Sequence, residues 1–143
     1  MTTTEDTRQP EGPAEVASAV LDAIEAQPGV FDMENWAQLP DTDRLPPERT
    51  PVCGSKLCAA GWTAHLTGWT LVSLPEGERA EVTCLNDDGE EDVRRVSVYA
   101  ERGGERRLIG DVAAVALGLK PSETFWYDSA PTALMRLHAI AGR

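Results

Sequence analysis

The sequence lacks an apolar run of the roughly 18 residues that a helix needs to span a bilayer, so membrane insertion is not expected. It also lacks the charged start and apolar stretch of an export signal, because the first thirteen residues, MTTTEDTRQPEGP, are polar. These absences predict a cytoplasmic protein. The cysteines are few and odd in number, and reduced thiols are expected rather than a disulfide framework. They are Cys53, Cys58 and Cys84.

Basic residues are scarce, since 13 lysines and arginines oppose 24 acidic residues and leave a net charge of −11. This balance disfavours direct binding to nucleic-acid phosphates. Residues 1–50 hold eleven acidic and three basic residues, so the negative charge is concentrated there. Solubility is the simpler explanation. The functional alternatives are an acidic surface that binds a basic patch on a partner protein, or an acidic surface that imitates DNA phosphates.

Common catalytic signatures are also missing: there is no phosphate-binding glycine loop, no G-x-S-x-G and no H-E-x-x-H. A thiol enzyme needs a base beside its cysteine. His65 follows Cys58 by seven residues, about 10 Å along a helix axis, which excludes a direct dyad. The C-x4-C spacing of Cys53 and Cys58 has no second pair to complete a zinc site. We therefore expect no cofactor and favour a non-enzyme, with a metal or thiol-redox site at these two cysteines as an alternative.

The patterning predicts an α+β fold, a helical core with an inserted antiparallel sheet of three to four strands. Residues 1–13 are expected to be a disordered lead and residues 14–143 a single domain. Apolar residues at helical spacing predict a helix over 14–26, and dense prolines predict a loop over 40–51. Short β-prone runs separated by Asp-Gly and Gly-Gly occupy residues 69–109. Helices then return, the first with Asp111 as its expected cap.

The segment CGSKLC begins the most informative predicted helix. Ser55 is expected to cap a helix from Lys56 to Thr67, which Gly68 ends in the left-handed conformation. A glycine inside a helix costs about 1 kcal/mol relative to alanine. Gly61 therefore indicates that another backbone or a large ring, such as an indole, packs closely against it.

This helix is expected to be the centre of the core, with its cysteine and tryptophans as packing residues. The partial positive charge at its start is expected to lower the pKa of nearby thiols. A ligand pocket lined by the indoles is the alternative use of the aromatic residues. The candidate binding residues are Trp36, Trp62, His65, Trp69 and Trp126.

Three sequence features together resemble a family. They are Trp36, the motif C-G-S-x-x-C-x-A-G-W from Cys53 to Trp62, and D-V-A-A-V-A-L-G-L from Asp111 to Leu119. This set is similar to that of small uncharacterised proteins of actinobacteria and their phages, with a W…C-G-[ST]-x-x-C-x-A-G core. The resemblance covers about half of the chain and implies no activity. A phage origin favours a small protein that binds and modulates a host component.

These observations predict a non-catalytic, acidic protein-interaction module that binds a host protein through an acidic or aromatic surface. A metal-binding or thiol-redox protein that uses Cys53 and Cys58 is one alternative. A DNA-mimicking inhibitor is the other. Neither direct nucleic-acid binding nor a membrane is expected.

Overall fold

The computed structural model describes residues 10–40, 42–86 and 88–143. Of the predicted lead, residues 1–9 lie outside the described residues, whereas Pro13 is already the first residue of a helix. Proline suits that position because its missing N–H would have no partner in a first turn.

Four α-helices occur in the described part of the chain. They are α1, Pro13–Ala26; α2, Ala59–Leu66; α3, Ile109–Ala116; and α4, Ala130–Ala141. A 3-10 turn, Pro121–Glu123, lies between α3 and α4. As predicted, Gly68 follows the end of α2 with a φ of +98°, and Gly118 follows the end of α3 with a φ of +67°. Within the described ranges, no helix has the length and apolar character needed to cross a bilayer.

Eight strands form two sheets within the same residues. They are β1, Ala37–Gln38; β2, Arg44–Leu45; β3, Lys56–Leu57; β4, Thr70–Ser73; β5, Ala80–Leu85; β6, Glu91–Val96; β7, Val98–Arg102; and β8, Glu105–Arg107. The strands β1 and β3 form a small antiparallel sheet, and the others form a sheet in the order β2-β4-β7-β8-β5-β6. Neighbours in the larger sheet are antiparallel except for β5 and β8, which are parallel.

The α+β class is confirmed, but the predicted number of strands is wrong because the larger sheet has six. One extra strand lies in the proline-rich segment, where Arg44 and Leu45 pair with β4. Another arises because the single run VRRVSVYA is broken at Ser97 into β6 and β7. Along this run, exposed and more buried residues alternate from Arg95 to Val98, and the alternation ends at Tyr99. Both Tyr99 and Ala100 are buried, since β7 is an interior strand with both faces covered.

The start of α2 also differs from the prediction. Lys56 and Leu57 form β3 instead of a first helical turn, and Ser55 is buried ahead of that strand. The N-cap residue is Cys58, whose Sγ accepts a hydrogen bond from the N–H of Gly61 at 3.4 Å. The sulfur thus satisfies one of the backbone donors that a helix start leaves free.

The main hydrophobic core lies between the helices and one face of the larger sheet. The helix α1 packs against α2 and α4, and α2 packs against α3. Leu71 and Ala100 contribute to this core, whereas Val72, Val82 and Tyr99 form a smaller cluster. Because successive strand residues point to opposite faces, the two clusters lie on opposite sides of the sheet.

Candidate functional site

A cavity of about 410 Å³ opens between α3, β6 and the segment after the 3-10 turn. Three aromatic side chains, Trp36, Trp126 and Tyr127, line it together with Arg94 and Val96 of β6. We call it the aromatic cavity. Its volume falls within the range of about 300–1,000 Å³ that is typical of ligand pockets.

Gly110, in the first turn of α3, lets two indoles approach the helix. A Cβ at this position would lie 3.1 Å from Cδ1 of Trp126 and 3.2 Å from Cη2 of Trp36. Both separations are tighter than nine in ten real Cβ contacts. The missing side chain therefore sets how closely the two rings approach α3.

The aromatic side chains of the cavity differ sharply in exposure. Trp126 is buried, Trp36 is half-buried, and Tyr127 keeps 89% of its surface accessible. The rings of Trp36 and Tyr127 meet edge to face, with centroids 5.9 Å apart. Val115 of α3, which is 73% exposed, also lines the cavity. The site thus combines a buried indole with exposed apolar groups.

Within the described lining of the aromatic cavity, two side chains are charged. Asp111 lies in the first turn of α3, where its Oδ2 accepts a hydrogen bond from the N–H of Leu85 at 3.0 Å. The prediction that Asp111 caps this helix is wrong, because Leu108 holds the N-cap position. A carboxylate in a first turn is nevertheless favoured by the helix dipole. Arg94 has no ion-pair partner among the described residues.

Two of the predicted binding residues, Trp62 and His65, lie inside the molecule on α2. Their rings contact each other edge to face at 6.0 Å, and both are buried. Trp62 Nε1 and His65 Nδ1 have no hydrogen-bond partner among the described residues. Burial lowers the pKa of His65, while the backbone of Arg49 and the charge of Glu48 act in the opposite direction.

Trp69 lies at a different place, beside a second cavity of about 400 Å³. The guanidinium of Arg102 lies 4.3 Å from the centre of its ring, in a cation–π contact. The five predicted binding residues therefore fall in three places. Only Trp36 and Trp126 line the aromatic cavity.

The cysteines do not form a shared site with a histidine in the described part of the chain. Cys53 is exposed, whereas Cys58 and Cys84 are buried. Burial raises the pKa of the Cys58 thiol to about 11, although the Gly61 N–H acts to lower it. The prediction of a lowered pKa is thus wrong for Cys58, because desolvation outweighs the helix start. Among the described residues, no group of three or more His, Cys, Asp or Glu side chains is placed to hold a metal ion.

The acidic residues of the first third are partly engaged within the molecule. Asp22 and Glu25 of α1 lie 2.9 Å and 3.9 Å from the guanidinium of Arg143. Asp32 accepts hydrogen bonds from Glu34 and Asn35 in its own turn. Three further acidic residues lie outside the described residues: Glu5, Asp6 and Asp41. The DNA-mimic alternative stays a hypothesis.

Sequence reasoning missed several residues of the aromatic cavity, notably Arg94, Gly110, Val115 and Tyr127. Gly110 alone had a usable signal, since a glycine in an apolar helical turn indicates a close neighbour, as Gly61 does. The others become neighbours only through the contact of α3 with distant segments.

Comparison of the chain with family models, curated proteins and solved structures gave no match. The resemblance to small actinobacterial and phage proteins stays a prediction. The geometry of the aromatic cavity is therefore the main support for a function.

Proposed function

We propose that this chain is a non-catalytic protein-interaction module whose aromatic cavity receives an apolar side chain of a partner protein. The main support is the exposure of Tyr127 and Val115, at 89% and 73%, beside a cavity that also contains two indoles. Exposed apolar groups next to a concave site are typical of protein contact surfaces. Pockets lined by aromatic side chains are where binding energy tends to concentrate.

The size and lining of the cavity suit one anchoring side chain. A volume of about 410 Å³ accommodates an aromatic or long aliphatic group. Trp126 supplies a buried surface for it, and Tyr127 and Val115 supply the surrounding apolar contact. The described lining includes neither histidine nor cysteine, and the carboxylate of Asp111 already accepts a hydrogen bond from the N–H of Leu85, which favours binding over catalysis.

The charge of the protein favours a partner with basic residues around its apolar anchor. A net charge of −11 attracts such a surface and speeds its approach, in a way that salt weakens. The resemblance to phage proteins points to a cytoplasmic host protein as this partner.

Substitution at the cavity rim tests the proposal. Immobilised wild-type protein, Tyr127→Ser and a control, Met135→Ser, are exposed to a lysate of an actinobacterial host. Met135 is 63% exposed but lies on α4, outside the cavity lining, so the control removes a similar apolar surface elsewhere. One protein should be retained by the wild type and the control, and at least tenfold less by Tyr127→Ser. Its purified form should show the same order of Kd values by calorimetry. Equal retention by Tyr127→Ser contradicts the proposal.

A small planar anion is the second candidate occupant, and Arg94 is the observation that favours it. This guanidinium lines the cavity without an acidic partner in the described residues. Arginine pairs readily with carboxylates and phosphates. Aromatic carboxylates that raise the Tm of the wild type but not of Arg94→Gln, together with a lysate experiment that retains nothing, would favour this second function.

A further inference from the structure

The strand β6 forms an open edge of the larger sheet. Among the residues that the structure describes, it is last in the strand order and pairs only with β5. Its first five residues are exposed, and Val93 in the middle keeps 62% of its surface accessible. A strand of this kind offers backbone donors and acceptors to another strand.

The turn that joins β5 to β6 shows which backbone groups face the open side. The N–H of Asn86 donates to the carbonyl of Glu90 at 2.9 Å, so hydrogen-bonded pairs with β5 recur at every second position from there. The first, third and fifth residues of β6 consequently direct their backbone groups outward. Val93, the third residue, agrees with this, since its N–H donates to Oδ1 of Asp92 at 2.8 Å instead of to β5.

The charges along β6 are ordered so that the strand complements its own reverse. From Glu91 to Arg95 the residues are two acids, a valine and two arginines. In an antiparallel pair centred on Val93, Glu91 lies opposite Arg95 of a second copy, and Asp92 lies opposite Arg94. We propose that two copies of this chain associate through β6 in this register and so join their sheets across a twofold axis.

The charges select this register over its neighbours. Centring the pair on Asp92 would place that carboxylate opposite its own copy, and centring it on Arg94 would oppose two guanidinium groups. Like charges directly opposite each other in a sheet are destabilising, whereas opposite charges stabilise the pair. The register centred on Val93 also makes that residue a hydrogen-bonded pair with its copy, because its backbone groups face outward.

Pairing requires only local rearrangement. Asp92 must release the N–H of Val93, which then donates to the second copy, while the carboxylate turns to the opposing arginine. Glu91 already lies 3.2 Å from Arg107. Arg107 also contacts Glu105 at 2.7 Å, so Arg107 keeps an acidic partner when Glu91 turns to Arg95 of the second copy.

Two variants of single charge sign test the proposal in sedimentation velocity at near-physiological salt. Arg94→Glu/Arg95→Glu makes the charged positions of the strand acidic, and Glu91→Arg/Asp92→Arg makes them basic. Each variant alone opposes like charges at all four positions, and its dimer Kd should rise at least tenfold. An equimolar mixture should form a heterodimer, because every opposed pair then has opposite signs.

The basic variant also distinguishes this pairing from general repulsion between two negatively charged proteins. It carries less net negative charge than the wild type, so general repulsion predicts tighter association, whereas the proposed pairing predicts weaker association. Glu76→Arg/Glu78→Arg is the matched control, with the same change of charge in the exposed loop before β5. It should dimerise like the wild type. Val93→Pro in the otherwise wild-type chain removes the outward N–H while leaving the ladder with β5 intact, and this variant should not form the dimer. Far-UV circular dichroism confirms that each variant is folded.

A wild-type protein that stays monomeric up to near-millimolar concentration would overturn the proposal. Dimers of either single-sign variant as tight as those of the wild type would do so as well. A mixture of the two variants that remains monomeric has the same consequence.

Discussion

Replacing Gly61 by alanine tests how tightly α2 is seated in the core. A Cβ at this position would lie less than 3.0 Å from the carbonyl oxygen of Trp36, a separation that real Cβ atoms essentially never reach. The carbonyl cannot move away easily, because the next residues form β1, which pairs with β3 directly before α2. Either the helix or the small sheet must therefore shift.

Two opposing effects set the magnitude for Gly61→Ala. Alanine gains about 1 kcal/mol over glycine inside a helix. Inserting a methyl group into a filled core costs about 1–3 kcal/mol, with the upper end expected against a fixed backbone atom. The free energy of unfolding should fall by about 2 kcal/mol, which lowers the Tm by roughly 5–10 °C for a chain of this size. Urea denaturation followed by tryptophan fluorescence measures it, with circular dichroism as a second probe of the same transition.

Gly29→Ala is the matched control for this experiment. No atom of the described residues lies within 4 Å of the position that a Cβ of Gly29 would take, and the φ of Gly29 is not in the left-handed region. Alanine there should leave the stability unchanged or raise it by up to about 1 kcal/mol through the unfolded chain. A Gly61→Ala protein as stable as the wild type would refute the close contact between α2 and the Trp36 carbonyl.

Three further predictions concern the buried thiol and the buried imidazole. Iodoacetamide at pH 8 should label Cys53 in the native protein and leave Cys58 unmodified, because burial raises the pKa of the Cys58 thiol to about 11; equal labelling of both would contradict this. Cys58→Ala should lower the free energy of unfolding, measured by urea denaturation, by about 1–3 kcal/mol. Cys58→Ser retains an atom that can accept the capping hydrogen bond and should lower it by less. Because burial places the folded pKa of His65 below its ordinary value of 6.5, the unfolded chain binds the proton first, and the free energy of unfolding should fall as the pH decreases below 6.5. His65→Phe should weaken this dependence between pH 7 and pH 5, while a variant of the exposed His138 should keep it.

The sequence predicted best where local chemistry decides the structure. The apolar spacing of α1 and the glycine after α2 are local signals, and each is confirmed. Gly61 was informative because its cost inside a helix requires compensation, and the Trp36 backbone is the close neighbour that supplies it. The prediction allowed either a backbone or a ring, and the carbonyl is what the structure shows.

Features decided by distant pairing were not predictable in the same way. β2 consists of Arg44 and Leu45, too short for any periodicity, and it exists because β4 lies beside it. Glu101 of β7 forms an ion pair with Arg44 across that edge, a contact between residues far apart in the chain. The start of α2 was misplaced for the same reason, since pairing with β1 holds Lys56 and Leu57 in an extended conformation. The aromatic cavity likewise depends on packing between segments that no local pattern connects.

Trp36 contacts both the core and the aromatic cavity, and these contacts explain why Trp36 and the motif from Cys53 to Trp62 belong together. Its carbonyl lies against Gly61 of α2, and its ring lies against Gly110 of α3 and the edge of Tyr127. The segment before it is bonded to the same region, since the N–H of Leu57 donates to the carbonyl of Val30 at 2.8 Å. The tryptophan and the C-G-S-x-x-C-x-A-G-W motif are thus one unit in space. A change at Gly61 that displaces the carbonyl of Trp36 must also move the indole of Trp36. Such a change should therefore weaken binding of the proposed partner at the aromatic cavity, although Gly61 is not among the residues that line it.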